Sequence, residues 1–303
     1  MRRATSLLAL ALCVACGDAP AARPGEVAAR ASVLAQGTPY ADTCRVRRAV
    51  ALPPALHETS GLARGLRNPD VLWTHNDAGN PAVLHGVAES GRIVARARLD
   101  GARNVDWEDI ASARCADGTC VFIADIGDNE ERRSHVTVYV LAEPGIGDSR
   151  VSPTATLNAR FPDGPQDAEA LFVSSDGGIY LVTKGRQGVV GLYRFPALDS
   201  SQIHTLKWIR QLAPRPRDDR DRVTAAAAAG AWIALRTYRT LYLFEASSLL
   251  AGSDAVPQVI DLSPLGERAG EGLEIAADGR VWLSSEAARG DAPRLLALSC
   301  PLP

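Results

Sequence analysis

Asn104–Asn129 reads NVDWEDIASARCADGTCVFIADIGDN: an acidic lead into a strand, a turn (Ala116-Asp117-Gly118-Thr119) flanked by Cys115 and Cys120, and a strongly apolar second strand ending in another acidic loop. β-branched and aromatic residues in Val121-Phe122-Ile123 favour an extended, buried strand, and the Asp-Gly pair ahead of them is hairpin chemistry. The same form recurs along the chain. Five times a polar residue stands two positions before an apolar one: Ser60/Leu62, Glu108/Ile110, Glu169/Leu171, Thr224/Ala226 and Glu271/Leu273. The apolar members are spaced by 48, 61, 55 and 47 residues. Each is followed by a turn and an apolar run: Val71–Thr74, Val121–Ala124, Ile179–Val182, Trp232–Leu235 and Val281–Ser284.

A third strand is expected in each unit, at 82–88, 136–142, 190–195, 240–245 and 294–300. A fourth is expected in the first four only, at 93–99, 154–161, 205–212 and 258–262. The fifth unit runs out of chain, while residues 44–52, CRVRRAVAL, have no partner nearby. Four-stranded units at a period near 50 residues predict an all-β fold, a five-bladed β-propeller spanning 44–303, closed by the N-terminal strand 44–52 in the last blade. A six-bladed ring is the alternative, if Pro144–Pro165 in the long interval hides an extra strand pair. The run Thr224–Ala229 has helix propensity, but its place in the repeat assigns it to an inner strand, where small side chains suit crowding near the axis.

Residues 1–15 read as a secretory signal: Arg2 and Arg3 precede an apolar run, Leu7–Ala15, that is too short to span a bilayer. Leu12-Cys13-Val14-Ala15-Cys16-Gly17 resembles a lipobox, with Cys16 as the lipidated residue; cleavage and secretion without a lipid is the alternative. Residues 16–43, rich in Ala, Pro and Gly, read as a lipid-anchored flexible tether. These features predict a protein of the cell envelope, held at the membrane by its lipid. Four further cysteines suit an oxidising compartment and two disulfides with three connectivities. Cys115–Cys120 across the short turn leaves Cys44–Cys300, joining the first ordered strand to the last. A formal net charge of -2 implies no nucleic-acid surface.

Equivalent inner-strand positions converge on a propeller's axis, so the polar column Ser60, Glu108, Glu169, Thr224 and Glu271 is the candidate site. Glu58, Asp106, Asp167 and Arg222 lie two residues earlier, on the same face by strand alternation. Past the second strands stand His75, Asn76 and Asp77; Asp125 and Asp128; Lys184; Arg236; and Glu286. Two readings are open. An oxygen-rich pocket would hold Ca²⁺ or a polar small ligand through Ser60, Asn76, Asp77, Lys184, Arg236 and Glu286; alternatively the acids cap strand amides and pair across blades. His75, Glu108 and Glu169 are the candidate catalytic groups. No Gly-x-Ser-x-Gly elbow or His-Glu-x-x-His motif is present.

Thr59-Ser60-Gly61-Leu62, Val71-Leu72-Trp73-Thr74-His75-Asn76-Asp77, Asp106-Trp107-Glu108-Asp109-Ile110, Asp125-Ile126-Gly127-Asp128-Asn129 and Asp167-Ala168-Glu169-Ala170-Leu171 together resemble bacterial secreted β-propellers of the esterase-like or phytase-like group, over most of residues 55–290. Phytase-like members use calcium and acidic residues on phosphoesters. The resemblance therefore casts Asp106, Glu108, Asp125, Asp128, Glu169 and Glu271 as metal ligands. Apart from Lys184 and Arg236 the chain lacks the dense basic patch such substrates need. The expectation is a monomeric binding or scaffold module for a small polar ligand or an envelope protein, with a Ca²⁺-dependent hydrolase of a phosphoester or lactone as the alternative.

Overall fold

Each apolar run of the repeats forms a strand, and the strands assemble into five sheets. The computed structural model describes residues 32–39, 44–196, 199–251, 255–288 and 290–300. From the inner strand outward, blade 1 is Thr59–Arg64, Leu72–Asn76, Val83–Val87 and Ile93–Leu99. Blade 2 is Trp107–Cys115, Gly118–Asp125, Val136–Ala142 and Ala155–Arg160; blade 3 is Ala168–Val173, Ile179–Thr183, Val190–Arg194 and Lys207–Ala213. Blade 4 is Val223–Ala229, Trp232–Thr237, Thr240–Glu245 and Gln258–Asp261. In blade 5, Gly270–Ile275, Arg280–Ser285 and Arg294–Ser299 are completed by Arg45–Ala51, paired antiparallel to Arg294–Ser299. The propeller has five blades and closes through its N-terminal strand.

The inner strands contact one another in cyclic order, and an apolar layer fills each gap between blades. This is how the ring buries both faces of every sheet. Between blades 5 and 1, for example, Leu62, Leu72 and Val87 meet Trp282, Leu295 and Ala297. The alanine run of blade 4 is a strand, with Ala225 and Ala226 buried; burial of backbone ladders on both sides outweighs its helix propensity. Both disulfides form, Cys44–Cys300 and Cys115–Cys120.

The stretch thought to hide an extra strand pair holds Arg150–Val151 and Ala155–Arg160. The first of these adds to the outer edge of blade 1, in parallel with Ile93–Leu99, so no sixth blade arises. The same device recurs: Ile203–Thr205 runs parallel to the outer strand of blade 2, and Thr38–Pro39 to that of blade 4. Thr38–Pro39 and the short 3₁₀ turn Leu34–Gln36 fall within the stretch expected to be tether, yet they are seated on the ring: Val33 and Leu34 are buried against Leu212 and Ala213. The signal segment and Cys16 lie outside the described residues. Among the described residues no helix is long and apolar enough to cross a membrane.

Candidate functional site

All five inner strands carry a register shift at the same place, between Thr59 and Leu62, Trp107 and Asp109, Ala168 and Ala170, Val223 and Ala225, and Gly270 and Gly272. The residues skipped are the polar column itself: Ser60 (with Gly61), Glu108, Glu169, Thr224 and Glu271. A bulge leaves one residue out of the ladder and re-aims its side chain, so simple alternation fails here. Glu108 and Ile110 would share a face by period two, yet Ile110 packs into the layer between blades 1 and 2.

The bulge also frees an amide two residues on. In blade 2 the residue after the bulge is Asp109, where the other blades have Gly61, Ala170, Ala225 and Gly272. Its fully buried carboxylate accepts from Ile110 N (2.9 Å), Leu171 N (2.8 Å) and Ala226 N (3.1 Å), tying three blades together at the axis. Burial pushes the Asp109 carboxyl well above the usual range, against the pull of those three amides.

Because neighbouring strands are antiparallel, inner strands begin and second strands end on one face of the ring. There the amide after the second strand donates to the carbonyl before the inner strand: Asp77 to Glu58 (2.9 Å), Ile126 to Asp106 (3.1 Å), Lys184 to Asp167 (2.9 Å) and Glu286 to Ala269 (2.9 Å). This repeated bond gathers the carboxylates of several blades at one mouth. Oxygens of Asp77, Asp106 and Glu108 lie within 4.8 Å of one another. Gly127 lets them converge, since a Cβ at that position would collide with Glu108 Oε1 and the Asp106 carboxylate.

Four other acids near the axis have a protein cation. Lys184 pairs with Glu169, Arg186 with Asp167 (2.7 Å), Arg133 with Asp125 (2.8 Å), and the completely buried Arg236 with Glu267 (3.0 Å). Among the described residues none of Asp77, Asp106 and Glu108 has an ion-pair partner. Burial raises Asp106 to about 7, helped by the charges of Asp77 and Asp167. Burial likewise lifts Glu108 well above its ordinary value, with Glu169 adding to the effect, and raises Asp77. Glu169 and Glu271 are pushed up to about 8 and Glu286 to about 7, again first by burial. Burial pulls Lys184 down, but Glu169, Tyr238, Glu271 and Glu108 together hold it above its ordinary value.

Several residues expected to face a ligand are spent inside the fold. Ser60 Oγ donates to Glu108 O (2.6 Å) and Thr224 Oγ1 to Gly270 O (2.9 Å), each tying its blade to the next. Arg236 donates to Gly272 O and Ser284 O and stacks where Gly270 has no side chain. Asn76 donates to Ala55 O (2.9 Å). His75 is sealed between blades 1 and 2, edge-on to Trp107 at 5.4 Å, and burial lowers it to about 4; it is a neutral packing residue without the access a general base needs. Asp125 accepts from the amides of Val105 and Asp106, and Asp128 from that of Arg133, so these two shape the loop around Gly127. Glu271 is 8 % exposed and its buried Oε2 has no hydrogen-bond partner.

No protein-family model matches the sequence, and no curated protein sequence matches it. Solved structures do share its shape. The PQQ-bound aldose sugar dehydrogenase of Streptomyces coelicolor superposes with a TM-score of 0.51 at 14% identity, covering 86% of this chain and 99% of its own. The allergen Mala s 1 of Malassezia sympodialis gives 0.56 at 9% identity, covering 84% and 97%. A Xanthomonas campestris gluconolactonase gives 0.47 at 13%, covering 88% and 97%. At these identities the first two likenesses support the propeller fold alone and leave function to be argued from the mouth of the ring.

Proposed function

We propose that the protein is an extracytoplasmic binding propeller whose mouth takes a hard divalent cation, Ca²⁺, on Asp77, Asp106 and Glu108, and through it a neutral, hydroxyl-rich small ligand. The observation that carries this reading is the clustering of those three carboxylates within 4.8 Å, without the protein cation that Asp125, Asp167, Glu169 and Glu267 have. An all-oxygen donor set suits Ca²⁺, which accepts six to eight oxygens in flexible geometry and takes the remainder from water or ligand. Half-buried Asp77 leaves the cluster open to the mouth. The cation would supply a positive field for a ligand oxygen.

Charge accounting favours a neutral ligand. Lys184, Arg133, Arg186 and Arg236 are all committed to carboxylates. A phosphoester would face Glu169, Glu271 and Glu286 with no free basic side chain among these four. Glu271 and Glu286, raised to about 8 and about 7, keep protons around neutrality and so offer O–H donors to ligand hydroxyls, while Glu169 stays the charged partner of Lys184. The carboxylates at the mouth also support a second reading, a Ca²⁺-dependent hydrolase of a lactone, with Glu169, held by Lys184, as its general base. The paired disulfides fit an oxidising compartment, and envelope anchoring through Cys16 remains part of the proposal.

The test is a panel of sugar lactones, neutral sugars and a phosphomonoester, measured for binding and turnover with 1 mM-order Ca²⁺ and with EDTA. Ca²⁺-dependent binding of a neutral member is expected. Turnover that Glu169→Gln abolishes while the fold survives would favour the hydrolase. Preference for the phosphomonoester would contradict the charge argument. For the cation alone, Gly127→Ala is expected to weaken Ca²⁺ at least about tenfold by calorimetry, roughly 1.4 kcal/mol, because both Asp106 and Glu108 must move aside.

A further inference from the structure

The outer strand of blade 5 is treated differently from the other four. Blades 1, 2 and 4 have their outer strands covered by Arg150–Val151, Ile203–Thr205 and Thr38–Pro39, each added in parallel. The outer strand of blade 3 is covered by the turn at Leu34–Gln36, with Ser32 Oγ donating to Leu212 O (3.4 Å). The corresponding connection in blade 1, which would cover blade 5, is only the tight turn 88–92; it lies against Val50 and Ala51 at Gly91 and lines one side of a groove beside Arg48, but adds no strand. Among the described residues nothing pairs with the free edge of Arg45–Ala51, whose residues are exposed apart from half-buried Val50.

Its chemistry is one-sided. The strand reads RVRRAVA and carries no acid. Among the described residues Arg45, Arg47 and Arg48 have no ion pair, whereas Arg133, Arg150, Arg186, Arg236 and Arg239 each have one. Val46, 51% exposed, sits at a register shift between these arginines. Arg48 also borders a groove of about 360 Å³ toward blade 1, lined by Trp282, Leu72, Pro69 and Arg280, and Arg47 a smaller pocket of about 100 Å³ that shares Glu89, Arg280 and Trp282 with it. The groove's own acids are Asp70 and Glu89, and Glu89 accepts from the Trp282 indole (2.8 Å), while Arg280 is held by Asp278 (2.9 Å). An open edge invites strand addition. Pairing with a second copy would set the arginines of one strand against those of the other, so like charge disfavours self-association.

We propose that Arg45–Ala51 docks an extended acidic segment of a partner protein as a fifth strand, its carboxylates on Arg45, Arg47 and Arg48. Backbone bonds to the free edge supply the pairing, and the arginines select an acidic sequence. This surface is separate from the axial mouth and does not depend on the cation reading.

The test uses labelled octapeptides and the whole chain with its disulfides intact. (Glu-Val)₄ is compared with (Glu-Pro)₄, whose prolines cannot donate to a ladder, with (Lys-Val)₄, and with phosphatidylglycerol vesicles. (Glu-Val)₄ should bind at least about tenfold tighter than either other peptide, weaken as salt rises, and protect amides within 45–51 from hydrogen exchange. The triple variant Arg45→Glu, Arg47→Glu, Arg48→Glu should lose at least about tenfold in affinity with an unchanged melting temperature, since these side chains are exposed. Equal binding of (Glu-Pro)₄ would mean that the surface reads charge alone and would overturn strand docking. So would protection outside 45–51, vesicle binding without any preference for (Glu-Val)₄, or no peptide binding.

Discussion

Replacing Asp109 with alanine is expected to destabilise the fold by at least about 3 kcal/mol. The reason is the number of buried donors left behind. Ile110, Leu171 and Ala226 all aim their amides at its carboxylate, from blades 2, 3 and 4. A buried donor deprived of its acceptor costs about 1–3 kcal/mol, and two of these three lie across blade boundaries where water cannot readily replace the carboxylate. For a domain of this size the melting temperature should fall by about 6–12 °C. Asp109→Asn preserves shape and one acceptor but turns an NH₂ toward backbone donors, so it should recover only part of the loss. Circular dichroism during heating reads both, and a loss below about 1 kcal/mol for the alanine variant would show that Asp109 is not the axial tie.

The second large effect belongs to Cys44–Cys300. The bond closes a loop with a sequence separation of 256 residues, against 5 for Cys115–Cys120. Chain-entropy reasoning gives about 5 kcal/mol for the first and about 2 for the second. The difference is sharpened by topology, because among the described residues Arg45–Ala51 is held by one neighbouring strand and nothing pairs with its other edge. Converting both Cys44 and Cys300 to alanine should therefore open the ring at blade 5 first, exposing amides of 45–51 and 294–299 to hydrogen exchange before the rest. The Cys115/Cys120 double variant should unfold in one step with a smaller loss. Equal losses for the two pairs would contradict this account of closure.

How much was readable in advance follows from the kind of signal each feature has. Blade strands announce themselves through apolar runs such as Val121–Ala124 and Ile179–Val182, and the orphan strand 44–52 with the leftover Cys44 and Cys300 implied ring closure. Two-residue outer strands such as Arg150–Val151 have no periodicity to read. The bulges were hidden for a related reason: they break the alternation by which faces are assigned, so Ser60 and Arg236 were expected at the ligand and instead tie blades together. Asp109 was missed because its role comes from amides 62 and 117 residues away. Its one local sign was an acid where the other four repeats have glycine or alanine. Gly127 and Arg133 were missed similarly, since their importance lies in what Glu108, Asp106 and Asp125 need beside them.

The mouth's charge makes stability depend on pH in a defined direction. Asp106 and Glu286 hold protons in the fold to about 7, and Glu271 to about 8, while their unfolded counterparts lose them near 4. Between those limits the folded state binds more protons, so stability falls as pH rises. His75 and His85, both lowered to about 4, act in the opposite sense but only below about 6.5. In EDTA the melting temperature should therefore decline from pH 6.5 to 8. A bound cation replaces protons, so Ca²⁺ should flatten that decline.

The most direct test is thermal unfolding of the disulfide-intact protein at pH 8 in EDTA and then across a Ca²⁺ titration, alongside Asp106→Asn and Glu108→Gln. The acidic mouth predicts a rise that reaches about 2.7 kcal/mol at a hundredfold excess over Kd. Each variant should melt higher than the native chain in EDTA, because a buried like charge is relieved, and should show no rise with Ca²⁺. A native chain indifferent to millimolar Ca²⁺, with variants that melt lower in EDTA, would mean that these carboxylates serve the ring and bind no cation.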